Sequence, residues 1–174
     1  MTESKTTETK TPTAWVIAKS LTIIGVTLSL FQLYTAGMVA MTAMRHRSVF
    51  LTCILAMTFL IKPLYKGARK DRFNAALVVD LILIAMAVLI GLYIFIDLQG
   101  IFERQGDWSL WDFRVGVALV LLVLEATRRV IGLNLTIIAI MALLFGYFGP
   151  WMPELIVHKG YSVERIATTL SLTT

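Results

Sequence analysis

Cysteine occurs once in the 174 residues, histidine twice, and charged side chains make up 16% of the chain. Each scarcity closes off a class of chemistry. The lone Cys53, inside a long apolar run, allows neither a disulfide framework nor a cysteine-rich metal site and is read as a packing residue. His46 and His158 lie far apart in expected connections between apolar runs, with no Cys or His nearby, so a metal site lacks a donor set. No Ser, Cys or His stands in a recognisable catalytic arrangement, and no enzymatic activity is expected. Polar residues do not line one helical face, and no matched pair of Gly/Pro-interrupted helices offers a transporter substrate site. The chain alone is expected to move no substrate.

What the chain does contain is apolar: 57% of its residues are hydrophobic, with the charges collected between long runs, a composition that places it in a membrane. Five runs are candidate spans: roughly Trp15–Ala43, Ser48–Leu64, Ala75–Asp97, Leu110–Leu124 and Val130–Met152, against the ~20 residues that cross a bilayer. Backbone groups in hydrocarbon must satisfy one another, and the runs lack the alternation of barrel strands. The expected fold is therefore all-α, a polytopic integral membrane protein with about five transmembrane helices. Met1 to Ala14, rich in Thr, Lys and Glu, reads as a disordered tail. The first run is far longer than the about 7–15 residues of a signal-peptide core, so it is expected to remain as a spanning helix.

Lys and Arg set the orientation. Lys62, Lys66, Arg69, Lys70 and Arg72 follow the second run; placing them inside puts the N-terminus in the cytoplasm, with ten basic residues inside against six outside. Arg45 and Arg47 fall on the unfavoured side. The Lys62–Arg72 stretch is short and lies between spans, which fits a topology signal and lipid-headgroup contact rather than nucleic-acid binding. Trp15, Tyr65, Tyr93, Trp108, Trp111 and Trp151 fall near expected span ends, as interfacial anchors do.

Charges within spans carry most meaning, because burying one without a partner is expensive. Asp80 lies inside the third run; Glu125, Arg128 and Arg129 sit towards the end of the fourth. Glu125 is spaced i,i+3 and i,i+4 from the two arginines, so pairing on one helix is available. The topology puts Asp80 at the same membrane face, giving a structural bridge from Asp80 to Arg128 or Arg129; lipid or partner-subunit contact is the competing reading. Ala36 and Ala40 form a small-x-x-x-small step where another helix could approach closely.

Leu124-Glu-Ala-Thr-Arg-Arg-Val-Ile-Gly132, the following Phe148-Gly-Pro-Trp-Met-Pro-Glu-Leu155 and Tyr161-Ser-Val-Glu-Arg-Ile166, and Ser29-Leu-Phe-Gln-Leu-Tyr-Thr-Ala36 in the first run resemble, nearly collinearly, the small-subunit (Q-type) N-terminal region of fused tripartite ATP-independent periplasmic (TRAP) permeases, particularly those of the TAXI type. In that family a soluble periplasmic substrate-binding protein captures an organic acid and delivers it to a membrane complex. The large transport subunit binds substrate and sodium and moves as an elevator, while the small subunit braces it. The resemblance implies sodium at the partner transport domain rather than in this chain, and a subunit interface including Phe31, Gln32 and Tyr34, with Glu125, Arg128 and Arg129 as structural charges. It also implies the cytoplasmic (inner) membrane of a bacterium or archaeon.

The expected organisation is a cytoplasmic tail over 1–14, a four-helix region over 15–132, a connecting transmembrane helix and turn over 133–160, and a final segment over 161–174. Ser162 is a plausible N-cap and Glu164 a first-turn acid there, while Arg165 occupies the position a capping box would give to an acid or amide. An amphipathic surface helix and the start of a transport domain both fit that segment. Fused relatives continue past a Leu-Thr-Thr sequence, so a separate subunit, a cleaved fragment and a shortened chain stay open. A stand-alone membrane assembly protein is the alternative function, followed by a small channel.

Overall fold

The computed structural model describes residues 12–37, 43–62, 64, 75–151 and 159–173, and among them every regular element is helical. The elements are α1 (Pro12–Gly37), α2 (Ala43–Ile61), α3 (Ala75–Ile96), α4 (Leu98–Glu103), α5 (Leu110–Val130), α6 (Leu133–Tyr147), a 3-10 turn at Gly149–Trp151, and α7 (Val163–Leu172).

Hydropathy placed these helices well and their ends less well. The third run matches α3 to within a residue at its far end. The helix of the second run begins earlier, at Ala43, and takes in Arg45, His46 and Arg47, so His46 belongs to α2 and not to a connection. Likewise α5 continues beyond Leu124 through Glu125, Arg128 and Arg129. Charges interrupt an apolar run without interrupting the backbone hydrogen bonds that define a helix. The fifth run is expected to begin at Val130, but Val130 closes α5 and α6 begins at Leu133: Gly132, with φ of 108°, adopts a conformation that a side chain disfavours and separates the two helices. The helix of the first run starts at Pro12, where a proline's missing N–H costs no hydrogen bond. The remainder of the expected tail, residues 1–11, lies outside the described residues, as do Ala40, Tyr65, His158 and most of the basic stretch.

Two of the five expected spans, α2 and α3, are long and apolar enough to cross a membrane, and α6 is a shorter apolar helix. In each of the two, only 28% of the most apolar window is buried by the rest of the chain. A helix at the heart of a water-soluble core would be largely enclosed, whereas these leave Phe50 and Ile54 of α2 and Leu81, Ile82, Leu89 and Leu92 of α3 exposed.

The core lies where α2, α3 and α5 meet, sealed at one end by α4 and along one side by α7. Leu55, Phe59, Ala87, Ile94, Ile101, Leu122 and Leu172 are among its buried members. Glycines lie at two close crossings: a Cβ at Gly91 of α3 would run into Thr52 of α2, and one at Gly116 of α5 would lie 2.8 Å from Ser171 Oγ of α7. Such small residues let helix backbones approach. By contrast α1 packs on α2, and α6 buries only Thr136.

Candidate functional site

The sequence predicts a charge cluster of Asp80, Glu125, Arg128 and Arg129, and the fold brings all four together. Asp80 stands one turn into α3, and the last turns of α5 supply the others. Arg129 Nη1 donates to Asp80 Oδ1, and its Nε donates to Glu125 Oε1 at 2.7 Å. Arg128 takes the same carboxylate from the other side, with Nε to Oε2 at 2.8 Å and Nη2 to Oε1 at 2.7 Å. Arg129 Nη1 also caps the end of α2, donating to the Lys62 carbonyl at 3.2 Å, and Arg128 Nη2 donates to the Leu64 carbonyl in the segment just past it at 3.4 Å. Carbonyls at a helix C-terminus lack intrahelical partners and attract cations.

Burial makes the Asp80–Arg129 pair consequential. Their side chains are 5% and 1% exposed, and the Arg129 guanidinium lies 5.0 Å from the centre of the Phe59 ring. Glu125 and Arg128 are more open to their surroundings. Two carboxylates and two guanidiniums leave no net charge in the cluster, as the high cost of desolvating an unpaired ion demands. The knot joins α2, α3 and α5, and its chemistry is that of a fastener.

A second knot ties the opposite ends of α3 and α5, and sequence reasoning missed it. Arg104, in the connection after α4, donates from Nη2 to Asp97 Oδ2 at 2.6 Å and from Nε to Asp112 Oδ2 at 3.0 Å. Hydrogen bonds to Asp112 and then Asp97 push its pKa above the ordinary arginine value, so it stays a cation. Asp112, fully buried, also accepts from Tyr93 Oη of α3 at 2.7 Å and from the Ser109 backbone N–H at 3.1 Å. With Ser109 Oγ accepting from the Trp111 N–H, this forms a capping box at the start of α5. The signal was in the sequence: Ser109 and Asp112 stand at the capping-box spacing, directly before an apolar run.

The two knots have matching geometry. Asp80 and Asp97 are seventeen residues apart in sequence, as are Asp112 and Arg129. At 1.5 Å per helical residue each interval spans about 26 Å, close to the ~30 Å thickness of a bilayer's hydrocarbon core.

The expected interface residues divide. Gln32 Oε1 lies 2.6 Å from His46 Nε2, and the Phe31 ring meets the His46 ring edge-on at 5.8 Å, so both hold α1 to α2 within the chain. Tyr34 is exposed and Ala36 lies on α1. Of the expected anchors, Trp15, Trp111 and Trp151 are exposed, with Lys19 set over the Trp15 ring and Arg114 over Trp111. Trp108 differs: it is half-buried and packs against the core. Among the described residues no three His, Cys, Asp or Glu side chains converge as metal ligands would.

Comparison of the chain with protein-family models, with curated proteins and with solved structures returns no match.

Proposed function

We propose that this chain is a membrane scaffold: the bracing component of a sodium-coupled, binding-protein-dependent secondary transporter for organic acids, of the TRAP kind. In this reading α1, α5 and α6 join α2 and α3 as membrane helices, with the N-terminus in the cytoplasm of a bacterium or archaeon. The partners are a large transport subunit or domain, which holds the sodium, and a periplasmic substrate-binding protein. The chain itself has no catalytic role. Its helices anchor the static part of the transport subunit while the mobile part crosses the bilayer.

The observation that carries this reading is the use of Glu125, Arg128 and Arg129. These residues of the family-like Leu-Glu-Ala-Thr-Arg-Arg-Val-Ile-Gly stretch are spent on joining α2, α3 and α5. Charges neutralised in a fixed network suit a rigid support. A stand-alone assembly protein, recruiting some other membrane partner, would need the same rigidity.

Native mass spectrometry of the complex extracted from its own membrane separates the two. A large multi-span transport subunit, bound or covalently attached, together with sodium-dependent uptake that needs it and a periplasmic protein, is the expected result. Association with an unrelated complex would transfer the function to the assembly reading.

A further inference from the structure

An apolar groove of about 590 Å³ runs between α3 and α5. Leu83 and Met86 form one wall, and Phe113, Val117, Ala118 and Leu121 line the other. The α5 residues recur at helical spacing, so they make a continuous stripe down one face of that helix. From Arg114 at one end to Glu125 at the other the stripe spans eleven helical steps. That is about 16 Å, the depth of one leaflet in a hydrocarbon core ~30 Å thick.

The ends of the groove differ in charge. Glu125 is neutralised by Arg128 and Arg129. Arg114 makes no ion pair among the described residues; its guanidinium lies 5.2 Å from the centre of the exposed Trp111 ring, at the interfacial end of α5. A cation held over an aromatic ring at the mouth of an apolar channel leaves its outward N–H groups for an anion. The same device recurs on the other flank of α7. There Arg165 lies 5.9 Å from the Tyr161 ring centre and lines an apolar groove of about 510 Å³ between α6 and α7.

We propose that the α3–α5 groove binds an anionic phospholipid, with its phosphate on Arg114 and one acyl chain lying along the groove. The site rests on the membrane part of the reading above and is independent of the transporter role. Arg114 selects the headgroup by charge, and the stripe from Phe113 to Leu121 holds the chain by apolar contact. Bound lipid then fills the groove beside the α3–α5 seam.

The test is native mass spectrometry of the protein purified from its membrane with whatever subunits accompany it, titrated in detergent with dioleoyl phosphatidylglycerol or dioleoyl phosphatidylcholine. The wild type is expected to prefer phosphatidylglycerol. Arg114→Gln should weaken that lipid about fivefold, the worth of one basic residue near an anionic surface, while Arg114→Lys retains it and phosphatidylcholine is unaffected. Leu121→Trp, placed at a side chain already 60% exposed, should obstruct the groove and weaken both lipids. Equal binding of the two lipids by the wild type, or unchanged phosphatidylglycerol binding in Arg114→Gln, would overturn the proposal. Loss in Arg114→Gln with none in Leu121→Trp would also overturn it, because the groove would then hold no chain. Recovery of the protein in the soluble fraction before detergent is added would instead sink the membrane reading itself.

Discussion

Arg129 of α5 reaches Asp80 of α3 across the helix seam, and both side chains are almost wholly enclosed. Such a pair stabilises less by being present than it destabilises when halved, because removing one partner strands the other without solvent. Arg129→Met is therefore expected to cost about 3–5 kcal/mol. Asp80→Leu combined with Arg129→Met should recover most of that loss. A double-mutant cycle read by thermal unfolding in detergent checks this; additive losses would mean that the two residues are not coupled.

At the opposite end of the seam, Tyr93 donates to Asp112 at 2.7 Å. A hydrogen bond to a charged acceptor contributes about 1.5–3 kcal/mol, and Tyr93→Phe should lose an amount in that range. Ser109→Ala should cost about 1 kcal/mol through the helix cap alone. Asp112→Ala should exceed either, because the same carboxylate serves the cap, Tyr93 and Arg104. The order of the three losses, measured by thermal unfolding, is the diagnostic; an Asp112→Ala loss no larger than that of Ser109→Ala would break the network apart.

The two knots show what was legible in the sequence. Asp80, Glu125, Arg128 and Arg129 could be assembled because helical spacing joins the last three and an acid within an apolar run demands a cation. The Arg104 knot escaped because α4, six residues long, carries no periodic signal, and it folds a connection that reads as solvated loop back against the core. Gln32 and His46 were hidden for a related reason: a polar pair that closes two helices on each other depends on the direction of the intervening turn, which hydropathy does not encode. The apolar exposed faces of α2 and α3 were the easiest to foresee, since hydropathy alone marks these helices.

Close packing at Gly91 and Gly116 provides a separate test. A Cβ at Gly91 would collide with Thr52, so Gly91→Val should separate α2 from α3 and cost roughly 1–3 kcal/mol or more through overpacking. Gly116→Val should instead push against Ala167 and Ser171 and loosen α7 from α5. Limited proteolysis should then cut within 159–173 faster than in the wild type, with the rest of the chain protected. Gly25, whose nearest outside neighbour is Met57 Cε at 3.9 Å, has room for a methyl group, and Gly25→Ala serves as the control.

Orientation can be read with the native cysteine removed. In a Cys53→Ser background, Gln105→Cys lies in the connection between α4 and α5, at the end of the bundle that holds the Arg104 knot, and Lys62→Cys lies beside the Arg129 knot. Both native side chains are exposed. With the N-terminus inside, a membrane-impermeant maleimide applied to intact cells or spheroplasts should label Gln105→Cys and leave Lys62→Cys unreacted until the membrane is opened. The reverse pattern would invert the bundle and place the Arg128–Arg129 end outside, against the bias of Lys and Arg toward the cytoplasm. Labelling of both positions in closed cells would mean that the two knots do not lie on opposite sides of a bilayer, and the match of their about 26 Å spacing to the hydrocarbon core would lose its meaning.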